Sequence, residues 1–161
     1  MQMSEPILSR TKERVVDLEP VEPGRVILEL WLALSRRAWR SVVLLPADRR
    51  DSTRASANAL AEVGRRIRLA RVDAVVAEEL GYDQAAALIQ SLAAHGAAGG
   101  STDQLVVAIP SVVVEPLGVA VARQADLVVL CIRMGWSSLA DARRTVQLVG
   151  EDRLAGCLVL S

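Results

Sequence analysis

The sequence predicts a doubly wound, mostly parallel α/β domain of about five strands, in which one sheet lies between two layers of helices (a three-layer αβα arrangement). Two observations support this prediction: apolar segments rich in Val, Leu and Ile recur along the chain, and segments with helical patterning separate them. Strands that are apolar along their whole length are typical of a sheet covered on both faces. The chain has 161 residues and no Phe, which indicates one domain with one aliphatic core.

The chain opens on a polar stretch that contains Pro6, Pro20 and Pro23. We expect residues 1–24 to form a polar, flexible lead and residues 25–161 to form a single α/β domain. The lead lacks the long apolar run of a secretory signal, and the longest uncharged stretch, 84–102, is too polar to span a bilayer. The expected location is therefore the cytoplasm.

In the amino-terminal half, the pattern predicts helix, strand, helix, strand and a two-part helix, over residues 25–39, 41–46, 52–63, 66–72 and 73–95. Gly64 is expected to end the second helix. The strand after it is more polar than the first, which favours an edge position. Gly81 interrupts the last helical pattern, and Asp83 can cap its second piece.

In the carboxyl-terminal half, three strands are predicted, over residues 104–110, 126–132 and 153–161. A short helix over 115–125 separates the first two, with Pro116 in its first turn. Ser138 and Asp141 resemble a capping box, so the last helix is expected to begin there. Its apolar face consists of Leu139, Ala142, Val146 and Val149.

Several residues can be interpreted either as structural or as functional. Cys131 and Cys157 lie in apolar runs without the spacing of a metal site, and both are predicted to be reduced core thiols. His95 lies beside a glycine-rich loop, where a solvent-exposed helix end is favoured over a catalytic base. Trp31 is expected in the core, whereas Trp136, after the fourth strand, is a candidate partner contact.

The net charge is zero, but the charges are unevenly distributed. Residues 36–71 contain ten Arg and three acidic residues, a net charge of +7 that the rest of the chain balances. This segment is a candidate anion-facing surface. The alternative is that its arginines only solvate helix and strand ends. Nucleic acid is not an expected partner, because no aromatic residues alternate with the arginines to stack on bases.

The loop after the first strand is the candidate functional site, because ligands of doubly wound sheets bind at the carboxyl ends of strands. A working phosphate loop needs glycines, a Lys and a Ser or Thr hydroxyl. The stretch PADRRDSTR contains no glycine, and Asp51 stands at the position of the Lys, where it would repel phosphate. The degenerate phosphate-loop region comprises Asp48, Arg49, Arg50, Asp51, Ser52, Thr53 and Arg54.

The segments VVAIPS, RQADLVVLCIR and LAGCLVLS follow in an order that resembles the nucleotide-binding domain of bacterial tyrosine kinases and their exopolysaccharide-synthesis relatives, within the MinD- and ParA-like P-loop ATPases. The resemblance covers about residues 41–161 and implies a P-loop-NTPase-like fold. The family's two acids of the second strand correspond to Arg71 and Asp73. Its metal-side acid, before a Pro-Pro pair, corresponds to Ala108, and only Pro110 of the pair is present.

The first helix is also similar to the family's oligomer-contact helix. Glu29 is in place, but Leu32 and Ser35 stand where basic residues are expected. The clustered tyrosines that such kinases phosphorylate are absent, since Tyr82 is the only Tyr in the chain. The departures at Leu32 and Ser35 leave open whether the chain forms a homo-oligomer.

Loss of the loop glycines, the Lys and two acids removes the parts that hold phosphates and metal for phosphoryl transfer. We therefore expect no catalytic residues, no metal and no cofactor. With the resemblance, this predicts a catalytically inactive kinase- or ATPase-like protein, a binding or regulatory component of exopolysaccharide or capsule biosynthesis or export. The implied partner is the cytoplasmic part of a membrane polysaccharide co-polymerase or another assembly protein, at the inner face of the membrane. The candidate contacts are Arg36, Arg37, Arg40 and Trp136.

Three alternatives remain. A residual nucleotide binder of the MinD or ParA type would hold ATP and magnesium with the arginines, Ser52 and Thr53 at a helix N-terminus. An unrelated α/β domain would use the same Ser-Thr pair only as a helix cap. A different doubly wound enzyme has least support, because the sequence has no GxGxxG after a strand and no evident Ser/His/Asp arrangement.

Overall fold

The computed structural model describes residues 24–68, 71–97 and 102–161, so the expected lead lies outside the described residues except for Gly24. The elements are α1 (Arg25–Leu34), β1 (Ser41–Pro46), α2 (Arg54–Arg68), β2 (Val72–Val76), α3 (Tyr82–Ala97), β3 (Gln104–Ala108), α4 (Gly118–Gln124), β4 (Leu127–Arg133), α5 (Leu139–Val149) and β5 (Leu154–Leu160). A 3₁₀ turn at Glu151–Arg153 leads into β5.

The five strands form one parallel sheet in the order β2-β3-β1-β4-β5. Helices α1 and α2 cover one face, where Val42 and Leu44 of β1 belong to their core cluster. Helices α3, α4 and α5 cover the other face, which receives Val43 and Leu45. Every residue of β1 is buried because successive side chains point to opposite faces and both faces are covered. The predicted three-layer, doubly wound fold is confirmed.

The connections fix where a crevice can form. The helix after β1 lies on the α1 face, whereas the helices after the neighbouring strands β3 and β4 lie on the opposite face. The loops that leave these three strands therefore diverge at the carboxyl end of β1. In open α/β sheets such a point of divergence is where ligands bind.

Helix α1 is shorter than predicted. It ends at Leu34, and the Ser35 hydroxyl donates to the carbonyl of Trp31 (2.8 Å). The chain then turns so that Trp39 packs edge-to-face on Trp31, with ring centroids 5.4 Å apart. Both indoles are buried, and Trp31 is in the core as predicted. Tertiary packing of Trp39 therefore overrides the helical pattern that continues through this stretch.

The prediction that Gly64 ends the second helix is wrong, since Gly64 lies inside α2. A Cβ at this position would lie 2.6 Å from Cη2 of Trp31, so glycine is needed here for the close approach of α1 and α2. Residues 66–68 therefore continue the helix instead of starting a strand. The second strand is Val72–Val76, at the sheet edge as expected, and α3 is one helix that begins after Gly81.

The cysteine prediction holds for one residue only. Cys131 is buried in β4, but Cys157 is exposed, and both are free thiols. Cys157 differs because β5 is an edge strand that its neighbours cover only in part. Leu139 is likewise exposed, while Val149 on the same predicted face is buried.

The Asp of the RQAD segment, Asp126, has a structural role at the amino end of the sheet. Its carboxylate accepts hydrogen bonds from the backbone N–H groups of Arg40 (2.7 Å) and Ser41 (3.3 Å). The Asp126 N–H in turn donates to the Ser41 hydroxyl (3.0 Å). This exchange ties β1 to β4 where both strands begin.

Across the described ranges, none of the helices is both long enough and apolar enough to cross a membrane.

Candidate functional site

The loop between β1 and α2, residues 47–53, lies at the carboxyl end of the central strand, where the neighbouring loops diverge. It is bounded by the β4–α5 loop on one side and by the ends of β2 and β3 on the other. The fold therefore places the predicted phosphate-loop region where a doubly wound sheet holds its ligand. The interactions inside this loop decide what it can bind.

Asp48 is the centre of the loop, with only 1% of its surface exposed. Its Oδ1 accepts hydrogen bonds from the backbone N–H (2.8 Å) and Nε (3.0 Å) of Arg50. Its Oδ2 accepts from Nη2 of the same Arg50 (3.2 Å) and from the backbone N–H of Ser138 (3.2 Å). The hydrogen bonds from Arg50 hold the pKa of Asp48 well below its usual range.

Asp141, from the first turn of α5, holds the next residue of the loop. Its two oxygens accept from Nη2 (2.9 Å) and Nε (3.0 Å) of Arg49, a bidentate pair, and Oδ2 also lies 3.4 Å from the backbone N of Arg49. The Arg49 guanidinium lowers the pKa of this carboxyl. The sequence predicted Asp141 only as the capping partner of Ser138, and that N–H to hydroxyl contact is present at 3.3 Å.

Two further ion pairs neutralise the rest of the loop. Arg133 at the end of β4 pairs with Asp51 (3.1 Å), and Arg54 at the start of α2 pairs with Glu78 after β2 (2.8 Å). With the two pairs above, four arginines meet four carboxylates. The loop that appears cationic in the sequence is therefore electrically balanced in the fold.

Most backbone N–H groups of the loop are also engaged. Those of Arg49 and Arg50 donate to carboxylates, as described above. Ser52 donates to Oδ1 of Asp51 (2.8 Å), and Arg54 donates to the Ser52 hydroxyl (3.2 Å). The N–H groups of Ala47 and Asp51 donate to the carbonyls of Cys131 (2.8 Å) and Asp48 (3.1 Å). Six backbone donors at and beside the loop thus already have acceptors from the chain itself, which leaves fewer of them for a phosphate.

Thr53 does not offer its hydroxyl to the crevice. The side chain is buried, and Oγ1 donates to the carbonyl of Leu44 in β1 (3.0 Å). Beside it lies a cavity of about 180 Å³, lined in part by Ala108 and by the acidic residues Asp51 and Glu78. Cavities that hold drug-sized ligands are about 300–1,000 Å³, so this one is small for a nucleotide. Within the described residues, no three His, Cys, Asp or Glu side chains converge as a metal site.

The structure does not bring all the predicted site residues together. Ala108 lies beside the loop, but Arg71 and Asp73 form an ion pair (2.9 Å) at the amino end of β2. The acid at the carboxyl end of this strand is Glu78. Sequence reasoning missed Glu78 because it took the strand to end at residue 72.

The candidate contact residues also lie at two opposite ends of the sheet. Arg37 and Arg40 line a cavity at the amino ends of the strands, and Arg36 precedes Arg37 in the chain. Trp136 lies at the opposite, carboxyl end, after β4. The arginine-rich segment 36–71 is therefore not one surface, because the chain crosses the sheet between its parts.

Trp136 belongs to an exposed apolar patch beside the loop. Met134, Trp136 and Leu139 are 64%, 55% and 66% exposed. The guanidinium carbons of Arg50 and Arg133 lie 5.9 and 5.6 Å from the centre of the Trp136 ring. Arg50 also donates through Nη2 to the Trp136 carbonyl (3.2 Å), which fixes the indole at the rim of the site.

Comparison of the chain with protein-family models, with curated proteins and with solved structures finds no match.

Proposed function

We propose that this chain is a catalytically inactive α/β protein that binds a protein partner through the carboxyl end of its sheet. One observation carries the proposal: the chain's own carboxylates occupy the N–H and guanidinium groups that a phosphate-binding loop would present to its ligand. The resemblance to exopolysaccharide-synthesis ATPases supplies the setting. The proposed role is that of a binding or regulatory component of exopolysaccharide or capsule assembly.

The internal carboxylates oppose nucleotide binding for two reasons. A triphosphate held by the backbone N–H groups of Arg49 and Arg50 would have to displace Asp141 and Asp48 from them, which leaves two carboxylates with fewer donors. Once displaced, those carboxylates would remain close to the bound phosphates and repel them. No Lys stands in the loop to offset this repulsion.

The apolar patch of Met134, Trp136 and Leu139 supports the choice of a protein partner. Trp, Met and Arg are the residue types enriched in protein interfaces, and an exposed indole between two arginines is a typical anchor. Arg49 and Arg50 keep 57% and 66% of their side chains exposed, so each can accept a second anionic group on its outer side. We expect a partner segment with apolar and acidic side chains, from the cytoplasmic part of a membrane polysaccharide co-polymerase.

The first test is calorimetric titration of the full chain with ATP and ADP, with and without magnesium, at low salt. We expect no heat of binding up to millimolar nucleotide and no change in melting temperature, since a ligand that does not bind cannot stabilise the fold. Micromolar, magnesium-dependent binding would instead support the alternative of a residual nucleotide binder.

The second test measures affinity for the cytoplasmic segments of the polysaccharide co-polymerase from the same source. We expect Trp136→Ala to weaken binding by roughly tenfold or more, because such anchors carry most of an interface's binding energy. Leu32→Ala is the matched control, since Leu32 is also exposed (54%) but lies at the opposite end of the sheet. Equal affinity of the Trp136 variant and the unchanged protein would contradict the docking site.

A further inference from the structure

A large cavity lies at the amino ends of the strands, at the opposite end of the sheet from the loop between β1 and α2. Its volume is about 910 Å³. Cavities that hold small-molecule ligands are typically about 300–1,000 Å³, so this one is large enough for a ligand. Its lining comes from the ends of α1 and α2, the α1–β1 loop and the beginnings of β3 and β4.

Two buried polar atoms belong to residues that line this cavity and lack hydrogen-bond partners. Trp39 and Gln104 are 6% and 5% exposed. The indole Nε1 of Trp39 and the amide Oε1 of Gln104 have no partner in the part of the chain that the structure describes. Nε2 of Gln104 donates to the Trp39 carbonyl (3.0 Å), so the two residues are in direct contact. Buried polar groups are nearly always paired, and an unpaired donor next to an unpaired acceptor can hold a ligand group.

The two atoms need opposite partners. An indole N–H only donates a hydrogen bond, and an amide oxygen only accepts one. A hydroxyl group does both, so one hydroxyl can accept from Trp39 and donate to Gln104. The two atoms are shielded from solvent, so a ligand reaches them through a shift of the α1–β1 loop, residues 35–40, which contains neither helix nor strand.

The charged residues of the lining favour an anion. They are three arginines, Arg37, Arg40 and Arg68, and one acid, Asp126, so the lining has a net charge of +2. Arg40 donates through Nη1 to the carbonyl of His95 (3.3 Å). The guanidinium groups of Arg37 and Arg68 form no hydrogen bond or ion pair within the described ranges. These two groups are therefore available to a ligand.

Capping of α1 does not account for Arg37. Arginine side chains near the end of a helix often donate to its last carbonyls. Here the backbone N–H groups of residues 35–37 already donate to the carbonyls of Trp31, Ala33 and Leu34. The guanidinium of Arg37 is not needed for this purpose and remains free to bind an anion.

We propose that this cavity binds a small phosphate monoester that also carries hydroxyl groups, such as a sugar phosphate or a polyol phosphate. A hydroxyl of the ligand lies between Trp39 Nε1 and Gln104 Oε1, and the phosphate pairs with Arg37 and Arg68. A phosphate group has a charge of about −1.5 to −2 and three acceptor oxygens, so it can engage both guanidinium groups better than a carboxylate can. This site goes beyond the proposed function and is independent of it, because the two sites lie at opposite ends of the sheet.

Calorimetric titration of the full chain at low salt tests the class of ligand. The probes are glucose 1-phosphate, glucose 6-phosphate and glycerol 3-phosphate. Methyl phosphate, which lacks the hydroxyls, and glucose, which lacks the phosphate, are the controls. We expect at least one probe to bind roughly tenfold or more tightly than either control, since each control can make only part of the contacts.

The variants Arg37→Gln and Arg68→Gln test the phosphate contacts. Both arginines are exposed, so the fold should tolerate the changes. Arg36→Gln is the matched control, because Arg36 is also exposed and is the neighbour of Arg37, but it is not among the residues that line the cavity. We expect each of the first two changes to weaken binding of the best probe by roughly tenfold or more, and the control to change it by less than about twofold.

Four results would overturn the proposal. Methyl phosphate that binds as tightly as the probes would show that the two buried atoms take no part. Glucose that binds as tightly as the probes, or unchanged affinity of the Arg37 and Arg68 variants, would show the same for the arginines. No binding of any probe up to millimolar concentration would mean that the two buried atoms pair only with water.

Discussion

At the scale of single residues, the carboxylate of Asp48 takes the place that a bound anion has in a phosphate loop. Its two oxygens accept four hydrogen bonds, three from Arg50 and one from Ser138, so the charged form is solvated by the protein in place of water. Asp141 does the same for Arg49. The loop is therefore held in shape by its own carboxylates and needs no ligand to order it.

We expect Asp48→Ala to lower the melting temperature by several degrees, because it leaves the Arg50 guanidinium and two backbone N–H groups without their acceptor. Sulfate, which can bind the freed donors, should restore more stability to this variant than it adds to the unchanged protein. The control is Asp73→Ala. It breaks the exposed ion pair with Arg71 at the amino end of β2, far from the loop, and should change the melting temperature little. Thermal unfolding followed by circular dichroism checks all three proteins, and equal melting temperatures would contradict the role of Asp48.

The packing of α1 on α2 is the main determinant at the scale of secondary-structure elements. Trp31, 1% exposed, fills the space between the helices, and Gly64 lets α2 approach it. The same contact explains why α2 extends past Gly64 to Arg68. A glycine in a helix lowers helix propensity, so its presence here reflects the space that the indole needs.

Gly64→Ala is expected to destabilise the protein by about 1–3 kcal/mol, because the new Cβ would lie 2.6 Å from the Trp31 ring. Gly96→Ala in α3 is the control, since its Cβ would meet nothing within 4 Å. That change should be neutral or stabilise by about 0.5–1 kcal/mol through helix propensity. Urea denaturation measures both, and the contact with Trp31 would be excluded if the two variants changed stability alike.

Acidic side chains with lowered pKa values link the stability of the whole molecule to pH. The pKa values of Asp48, Asp141 and Glu62 are all lowered by hydrogen bonds from arginine side chains. The folded state therefore binds fewer protons than the unfolded state, and unfolding in acid takes up protons. The stability from these groups is fully present above the free carboxyl pKa of about 4 and is lost as the pH falls through the lower, folded pKa values.

We expect urea midpoints to be nearly constant from about pH 7 to about pH 5 and to fall below about pH 4. The double variant Asp48→Asn with Asp141→Asn should have a lower urea midpoint at pH 7. Its midpoint should also fall less in acid, since two of the titrating groups are absent. Denaturation curves at several pH values test this. A midpoint that does not fall in acid would show that these carboxylates are not coupled to folding.

The order of strands and helices followed from the sequence, because buried parallel strands have continuous apolar runs and helices have their own period. The cap at Ser138 and the core position of Trp31 were also predictable, since each depends on local pattern. The second strand was misplaced because Gly64 was interpreted as the end of the second helix. Glycine is needed at this position because Trp31, more than thirty residues away in the sequence, packs against it. Local pattern carries no information about such a contact.

The sequence by itself determined the fold class, the place of the candidate loop and the absence of its glycines and Lys. Only the tertiary structure decided the electrostatics of that loop, because Asp141 reaches Arg49 across 92 residues and Glu78 reaches Arg54 from another strand end. It likewise decided that Cys157 lies on an exposed edge, a matter of strand order. The physical reason is that patterning reports which face of an element is buried, whereas ion pairs and edges depend on which elements become neighbours.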